Sequence, residues 1–162
     1  MDEEPASAEA VEADREWHHT FAVRLFNLTW DLLDKPDRTL EDDERMIHAA
    51  HASRFHWGEI GTPLEAERGE WQISHVYATL ERTEPALHHA ARCLAICLEH
   101  DYGDFDLAFA YEALARAHAV AGNTGEAHTY LQLAEAAGEQ VANENDRAYL
   151  MEELKSVKRL LH

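Results

Sequence analysis

The sequence predicts an all-α fold in which antiparallel helix hairpins stack as a short array closed by a C-terminal helix. Three observations carry this. Apolar residues make up 46% of the chain and recur at helical spacing. Glycine (7) and proline (4) are few and sit mostly between those stretches. No run alternates apolar and polar residues between turn residues, as a strand would. At 162 residues the chain is long enough for one domain with a sizeable core.

The elements follow in order. Residues 1–8 are expected to be a disordered acidic tail. A first helix is expected from Glu9 to Asp34, with Phe21, Leu25, Leu28 and Leu32 on one stripe and Phe26, Trp30 and Leu33 on a second. The "DKPDRT" segment breaks it. Thr39 then reads as an N-cap with Asp42 three residues on, opening a second helix whose stripe is Met46, Ala50, Ser53 and Trp57. "TPLE" opens a third helix: Thr62 caps, Pro63 suits the first turn and Glu65 closes a capping box. Gly69, Ile73, Val76 and Leu80 follow on its stripe. The fourth starts at Thr83, buries Ala86, Ala90, Cys93, Leu94 and Cys97, and is expected to end on Gly103 as C-terminal cap. The fifth carries Leu107, Tyr111, Leu114, His118 and Ala121, with Asp104 and Asp106 as candidate caps. The sixth carries Ala127, Leu131, Ala134, Gly138 and Val141, and the seventh Leu150, Leu154, Val157 and Leu161.

Residues 70–100 align without a gap on residues 111–141, an offset of 41. Ile73 falls on Leu114, Ser74 on Ala115, Ala78 on Ala119, Ala86 on Ala127, Cys93 on Ala134 and Cys97 on Gly138. "ISHVY" (73–77) and "LARAH" (114–118) then read as first-helix cores, and "EPALHHAARCL" (84–94) and "GEAHTYLQLAE" (125–135) as second-helix cores. The pattern resembles the tetratricopeptide repeat (TPR), with that family's alanine at Ala86 and Ala127. The period is longer than the usual 34 or so and is similar to longer-helix variants in bacterial regulators and cargo adaptors. His118 replaces the family's tyrosine, and Pro85 comes early in its helix. The chain is also similar to bacterial proteins that carry no assigned activity. The resemblance implies a right-handed TPR-like array: an N-terminal hairpin over 9–60, two repeats over 62–141 and a capping helix over 143–162. It also implies a concave groove lined by the first helices, at Arg68, Trp71, Gln72 and His75 and at Phe109, Glu112, Ala113 and Arg116. The groove is either open to a partner or covered by the N-terminal hairpin with Trp30 and Trp57.

On the fourth helix, His89, Cys93, Cys97 and His100 form one stripe, which raises a metal site, a redox pair or a helix interior. The second repeat has Tyr130, Ala134, Gly138 and Val141 at the same places, so the shared property is small volume at the cysteines. A disulfide along the helix is disfavoured, because Cβ atoms at i and i+4 stand about 5–6 Å apart and a disulfide needs about 3.5–4.5 Å. The cysteines are therefore expected in the core. Glu44, His48 and His51 share a face of the second helix and are an alternative metal set. It needs partner ligands, for which His18, His19 and His75 are available.

The balance of 32 acidic against 14 basic residues gives a net charge of −18, which repels nucleic acid phosphates and anionic membranes. No segment is long and apolar enough to span a bilayer. Two cysteines make no disulfide framework, and the N-terminus lacks a hydrophobic signal core, so a reducing, cytoplasmic setting is expected. There is no nucleophile elbow and no phosphate loop. Ser53 and Ser74 read as small packing residues. No cofactor is implied. The expected function is a TPR-like module that binds a protein or peptide or pairs with itself as a homodimer. The alternatives are a small helical enzyme or metal protein using His48, His51 and His75, and a small-ligand sensor with a pocket around Trp71, His75 and Arg116.

Overall fold

The computed structural model describes residues 7–162. Most of the expected acidic tail, residues 1–6, lies outside the described residues. The first helix starts at Ala8, one residue before the expected Glu9, and the Ser7 hydroxyl caps it by accepting from the Ala10 amide. Among the described residues there are seven helices and no strand: α1 Ala8–Asp34, α2 Leu40–Ile60, α3 Pro63–Thr79, α4 Thr83–Glu99, α5 Asp104–Val120, α6 Thr124–Glu139 and α7 Glu144–Leu160. None is long and apolar enough to cross a membrane.

The helix starts are written in the sequence. Thr39 and Asp42 form a reciprocal capping box at α2, and Thr62 and Glu65 another at α3 with Pro63 in the first turn. Asn143 caps α7 by accepting from the Asn145 and Asp146 amides. The α5 start differs from expectation. Gly103 is its N-cap with an extended φ of −112°, not a left-handed C-cap of α4; Asp101 takes the left-handed conformation instead, at φ 55°. Neither acid of "DFD" caps the helix. Asp104 accepts from the Ala142 amide, and Asp106 pairs with Arg68.

α1 packs on α2, α3 on α4 and α5 on α6. α2 joins α3, α4 joins α5, α3 touches α5 directly, and α7 lies on α5 and α6. The α3–α4 turn recurs at α5–α6. Glu81 and Gly122 both hold positive φ, at 56° and 78°. The Arg82 amide donates to Tyr77 O, and the Asn123 amide to His118 O, at 2.9 Å in both. These positions are related by the offset of 41 read from the sequence. The turn is the left-handed helix ending in which the chain reverses.

Two apolar clusters form. The smaller joins Leu32, Met46, Ala50, Ile73 and Val76 across α1, α2 and α3; the larger runs through α3 to α7. α5 does not follow its single predicted stripe. Ala108, Phe109, Ala110, Glu112, Ala113, Leu114, Ala115 and Ala117 are all buried, because α3, α4, α6 and α7 surround it. Alanine is what a helix hemmed in on all sides needs for close approach. Phe21, on the first predicted α1 stripe, is exposed, and small Ala22 and Thr29 face inward instead. Ser53 and Ser74 are buried as expected; each hydroxyl donates to a neighbouring helix carbonyl, Ala22 O and Ala86 O, at 2.8 Å.

Candidate functional site

The eight groove residues do lie along α3 and α5, with Ala113 buried, but the groove is roofed. Trp71, Gln72, Phe109 and Glu112 are buried, His75 and Arg116 are half-buried, and Arg68 alone is exposed. α1 covers one side: Trp30 packs on Trp71 at 5.3 Å and on His75 at 5.6 Å between ring centroids, and Gln72 donates to Phe26 O. α7 covers the other: Tyr149 stacks on Phe109 at 5.4 Å, and Arg116 donates to Glu153 and Ser156 of α7. The covering is by the N-terminal hairpin's Trp30 and the last helix together. Trp57 instead sits against His19.

Beneath this roof Glu112 has no exposed surface. It accepts from Trp71 Nε1 at 3.3 Å and Arg116 Nε at 2.7 Å. Arg116 continues to Glu153 at 2.9 Å. His75 Nδ1 is buried beside them without a hydrogen-bond partner. Burial, with the Arg116 charge adding to it, holds the His75 imidazole down at about 4, while Glu112 opposes the shift. Burial first raises Glu153, against the pull of Arg116. Donor atoms of His75, Glu112 and Glu153 all lie within 4.8 Å of one another, close enough for a metal by distance alone. The guanidinium of Arg116 bonds both carboxylates and supplies counter-charge to them, and His75 Nδ1 lies beside that network without joining it.

A second polar seam runs between α3 and α4, centred on two acids that sequence reasoning missed. Glu67 is 1% exposed; its Oε1 accepts from Cys93 Sγ at 2.9 Å and Cys97 Sγ at 3.5 Å, and its Oε2 is buried with no partner. Burial pushes the Glu67 carboxyl up to about 7 and both thiols above their usual range. One turn on, Glu70 accepts from Arg54 at 3.1 Å and lies 2.5 Å from His89 Nδ1. Burial alone would raise Glu70, but His89 and Arg54 together carry it lower. The signal was present: Glu67, Trp71, Ser74 and Ala78 fall at i, i+4, i+7 and i+11, which puts a carboxylate on a core stripe.

The four stripe residues of α4 thus separate. Cys93 and Cys97 share Glu67, His89 joins Glu70, and His100 is exposed against Tyr102. The Glu44, His48 and His51 set does not converge. Glu44 and His48 are exposed, while His51 turns inward to the Tyr77 hydroxyl at 2.9 Å. His18 faces His56 at 2.9 Å in an aromatic cluster with Trp17, Phe21 and Phe55, whereas the rings beside His75 are those of Trp30 and Trp71.

One end of the roofed groove stays open. There Phe26 and Trp30 of α1, Arg68 and Trp71 of α3, Phe105 of α5, and Asp146 and Tyr149 of α7 line a cleft of about 480 Å³. Arg68 is held by Asp106 through two contacts, at 2.9 and 3.4 Å. The Asp146 side chain has no ion-pair or hydrogen-bond partner among the described residues, since only its backbone amide is engaged. A cleft of similar size near Trp57 is walled mainly by polar and charged residues, including Glu12, Arg15, Glu16 and Glu65. No family model, no curated protein and no solved structure matches the chain.

Proposed function

We propose that this chain is a TPR-like module that binds a protein through a basic segment of it, a lysine or arginine side chain of the partner entering the aromatic cleft at the open end of the groove. One observation carries the reading: five aromatic residues from four helices line a cleft whose rim holds an uncompensated carboxylate, Asp146. Aromatic faces attract ammonium and guanidinium groups, and Asp146 supplies the full opposite charge. Arg68 does not reverse this sign, because Asp106 already neutralises it. The net charge of −18 adds long-range attraction for a basic partner and speeds encounter at low salt. Because α1 and α7 fill the remainder of the groove, binding concentrates at this end.

The test is a titration of tri-lysine and tri-glutamate peptides followed by the indole N–H resonances of Trp30 and Trp71. Tri-lysine should shift these resonances and tri-glutamate should not. Asp146→Asn and Tyr149→Ala change rim residues and should keep the fold. Each should weaken tri-lysine binding about 2- to 30-fold, the range that cation–π and exposed-charge contributions span. Equal response to both peptides, or shifts unaltered by either substitution, would remove the cleft as the recognition site.

A further inference from the structure

The lining of the cleft at the open end of the groove is rich in ring faces and poor in hydrogen-bond acceptors. Its rings follow one another without a break. Phe26 lies 6.2 Å from Trp30 with 73° between the planes, Trp30 lies 5.3 Å from Trp71 at 44°, and Trp71 lies 5.2 Å from Phe109 at 75°. Phe109 is buried and supports the other side, with Phe105 at 4.4 Å and Tyr149 at 5.4 Å. A cation is attracted within about 6 Å of a ring centroid, so at such spacings one cation reaches two or more rings at once. Acceptors are few among the lining side chains. The phenylalanines have none, and the tryptophans and Arg68 only donate, which leaves the Asp146 carboxylate and the Tyr149 hydroxyl.

We infer, resting on the basic-segment reading above, that the cleft is a cage for a quaternary ammonium group, supplied by a trimethylated lysine of the partner. A primary ammonium brings three N–H donors and a tightly held hydration shell. In the cleft it exchanges that shell for one carboxylate, one hydroxyl and ring faces, a poor return for a desolvated charge. A trimethylammonium keeps the charge, has no N–H to satisfy and lays its methyl groups against the rings. Asp146 at the rim then serves as a counter-charge that needs no contact hydrogen bond. Arg68 stays on Asp106, where its charge is offset. The surroundings favour a lysine side chain over a free small ammonium. A second hollow, of about 240 Å³, adjoins the cleft through Phe26 and Arg68 and is walled by Val23, Asn27, Trp57 and Glu65. Residues flanking the lysine have a place to lie there, and the net charge of −18 draws further basic residues of that segment.

The full chain is titrated with four probes, each followed by the indole N–H resonances of Trp30 and Trp71. They are tri-lysine, the same peptide trimethylated on its central Nζ, a neutral analogue with a tert-butyl group in place of the trimethylammonium, and free choline. The trimethylated peptide should bind at least about fivefold more tightly than tri-lysine and than the neutral analogue. Choline should be weaker than that peptide by a similar margin, because it lacks the flanking chain. Tyr149→Leu and Phe105→Leu each keep apolar bulk and remove a ring face. In both, the preference for the trimethylated peptide over the neutral analogue should fall to about twofold or less. Equal affinity for tri-lysine and its trimethylated form overturns the cage while the basic-segment reading stands, and no shift with either peptide removes both. A neutral analogue that binds as tightly as the trimethylated peptide overturns the cage too, since apolar burial alone would then account for binding. So does a preference unchanged by the leucine variants. Choline that binds as tightly as the peptide overturns the assignment to lysine. If Phe105→Leu fails to fold, Tyr149→Leu, on the exposed rim, still decides the matter.

Discussion

His75 gives the sharpest physical test of the roofed groove. Its ring lies between Trp30, at 5.6 Å, and Trp71, at 6.2 Å, and its Nδ1 is sealed from solvent with no partner. The charged groups around it come from two other helices: Glu112 and Arg116 from α5, and Glu153 from α7. Burial is the largest influence, and it holds the imidazole at about 4 against an ordinary 6.5. A depressed pKa in the fold means that the stabilising contribution is complete above pH 6.5 and is lost as the pH falls through about 4. Between pH 6.5 and pH 5 the loss amounts to about 2 kcal/mol, and it approaches about 3 kcal/mol near pH 4. His75→Phe keeps an aromatic ring between the two tryptophans and has nothing to protonate. Urea unfolding of both proteins in chelator at pH 7.5 and pH 5, followed by circular dichroism, should show the wild type losing about 2 kcal/mol more than the variant. Carboxylate titrations common to both chains cancel in that difference. A wild-type-minus-variant difference that stays constant from pH 7.5 to pH 5 would refute the burial argument, because it requires an imidazole that protonates in the fold as readily as outside it.

Two further substitutions bear on the same architecture. Arg116→Ala leaves Glu112 buried without its cation and should cost about 3–5 kcal/mol in urea unfolding; Trp71→Ala should cost about 3–5 kcal/mol through the cavity it opens. A loss of less than 1 kcal/mol for both would mean that the groove is open. At the repeated turn, Glu81→Gly should stabilise by about 1 kcal/mol and Gly122→Ala should destabilise by about 1 kcal/mol, since both positions hold positive φ; thermal melts of the two variants should move in opposite directions.

What was legible in the sequence was whatever depends on local chemistry. The capping boxes at Thr39 and Thr62 specify α2 and α3 because their donors and acceptors are three residues apart and need no tertiary partner. The stripe Leu150, Leu154 and Val157 is buried as predicted, since α7 presents one face to the array. Reading a single stripe failed where a helix has more than one neighbour. α5 buries Phe109 and Glu112 as well as Leu114, and no one-sided periodicity describes that. Gly103 misled for a different reason. Glycine signals a left-handed ending, but an aspartate tolerates that conformation too, and Asp101 adopts it. The groove residues were placed on the right helices, but their exposure was not legible. It depends on where Trp30 and Tyr149 return in space, some 40 residues before and after Trp71 and Phe109.

The buried acids show why hydrophobic pattern alone underdescribes this molecule. α3 carries Glu67 and Glu70 towards α4, and Trp71 reaches Glu112 on α5. Each carboxylate meets a partner of a specific kind: thiols, a histidine with an arginine, or an indole with an arginine. Sliding α3 by one turn against α4 would take Glu67 from one of its two thiols and Glu70 from His89, at the cost of those buried hydrogen bonds. The many alanines at these interfaces discriminate weakly between registers, because one small side chain packs much like another. We propose that the acids fix the register that the alanines leave open. Replacing Glu70 by Leu tests this. It removes the interactions with Arg54 and His89 while keeping bulk, so total stability should change by less than the loss of a buried ion pair implies, whereas α3 against α4 should become heterogeneous. Doubled amide resonances confined to those two helices would support the register role. A single sharp set with unchanged α3–α4 contacts would show that packing alone sets the register.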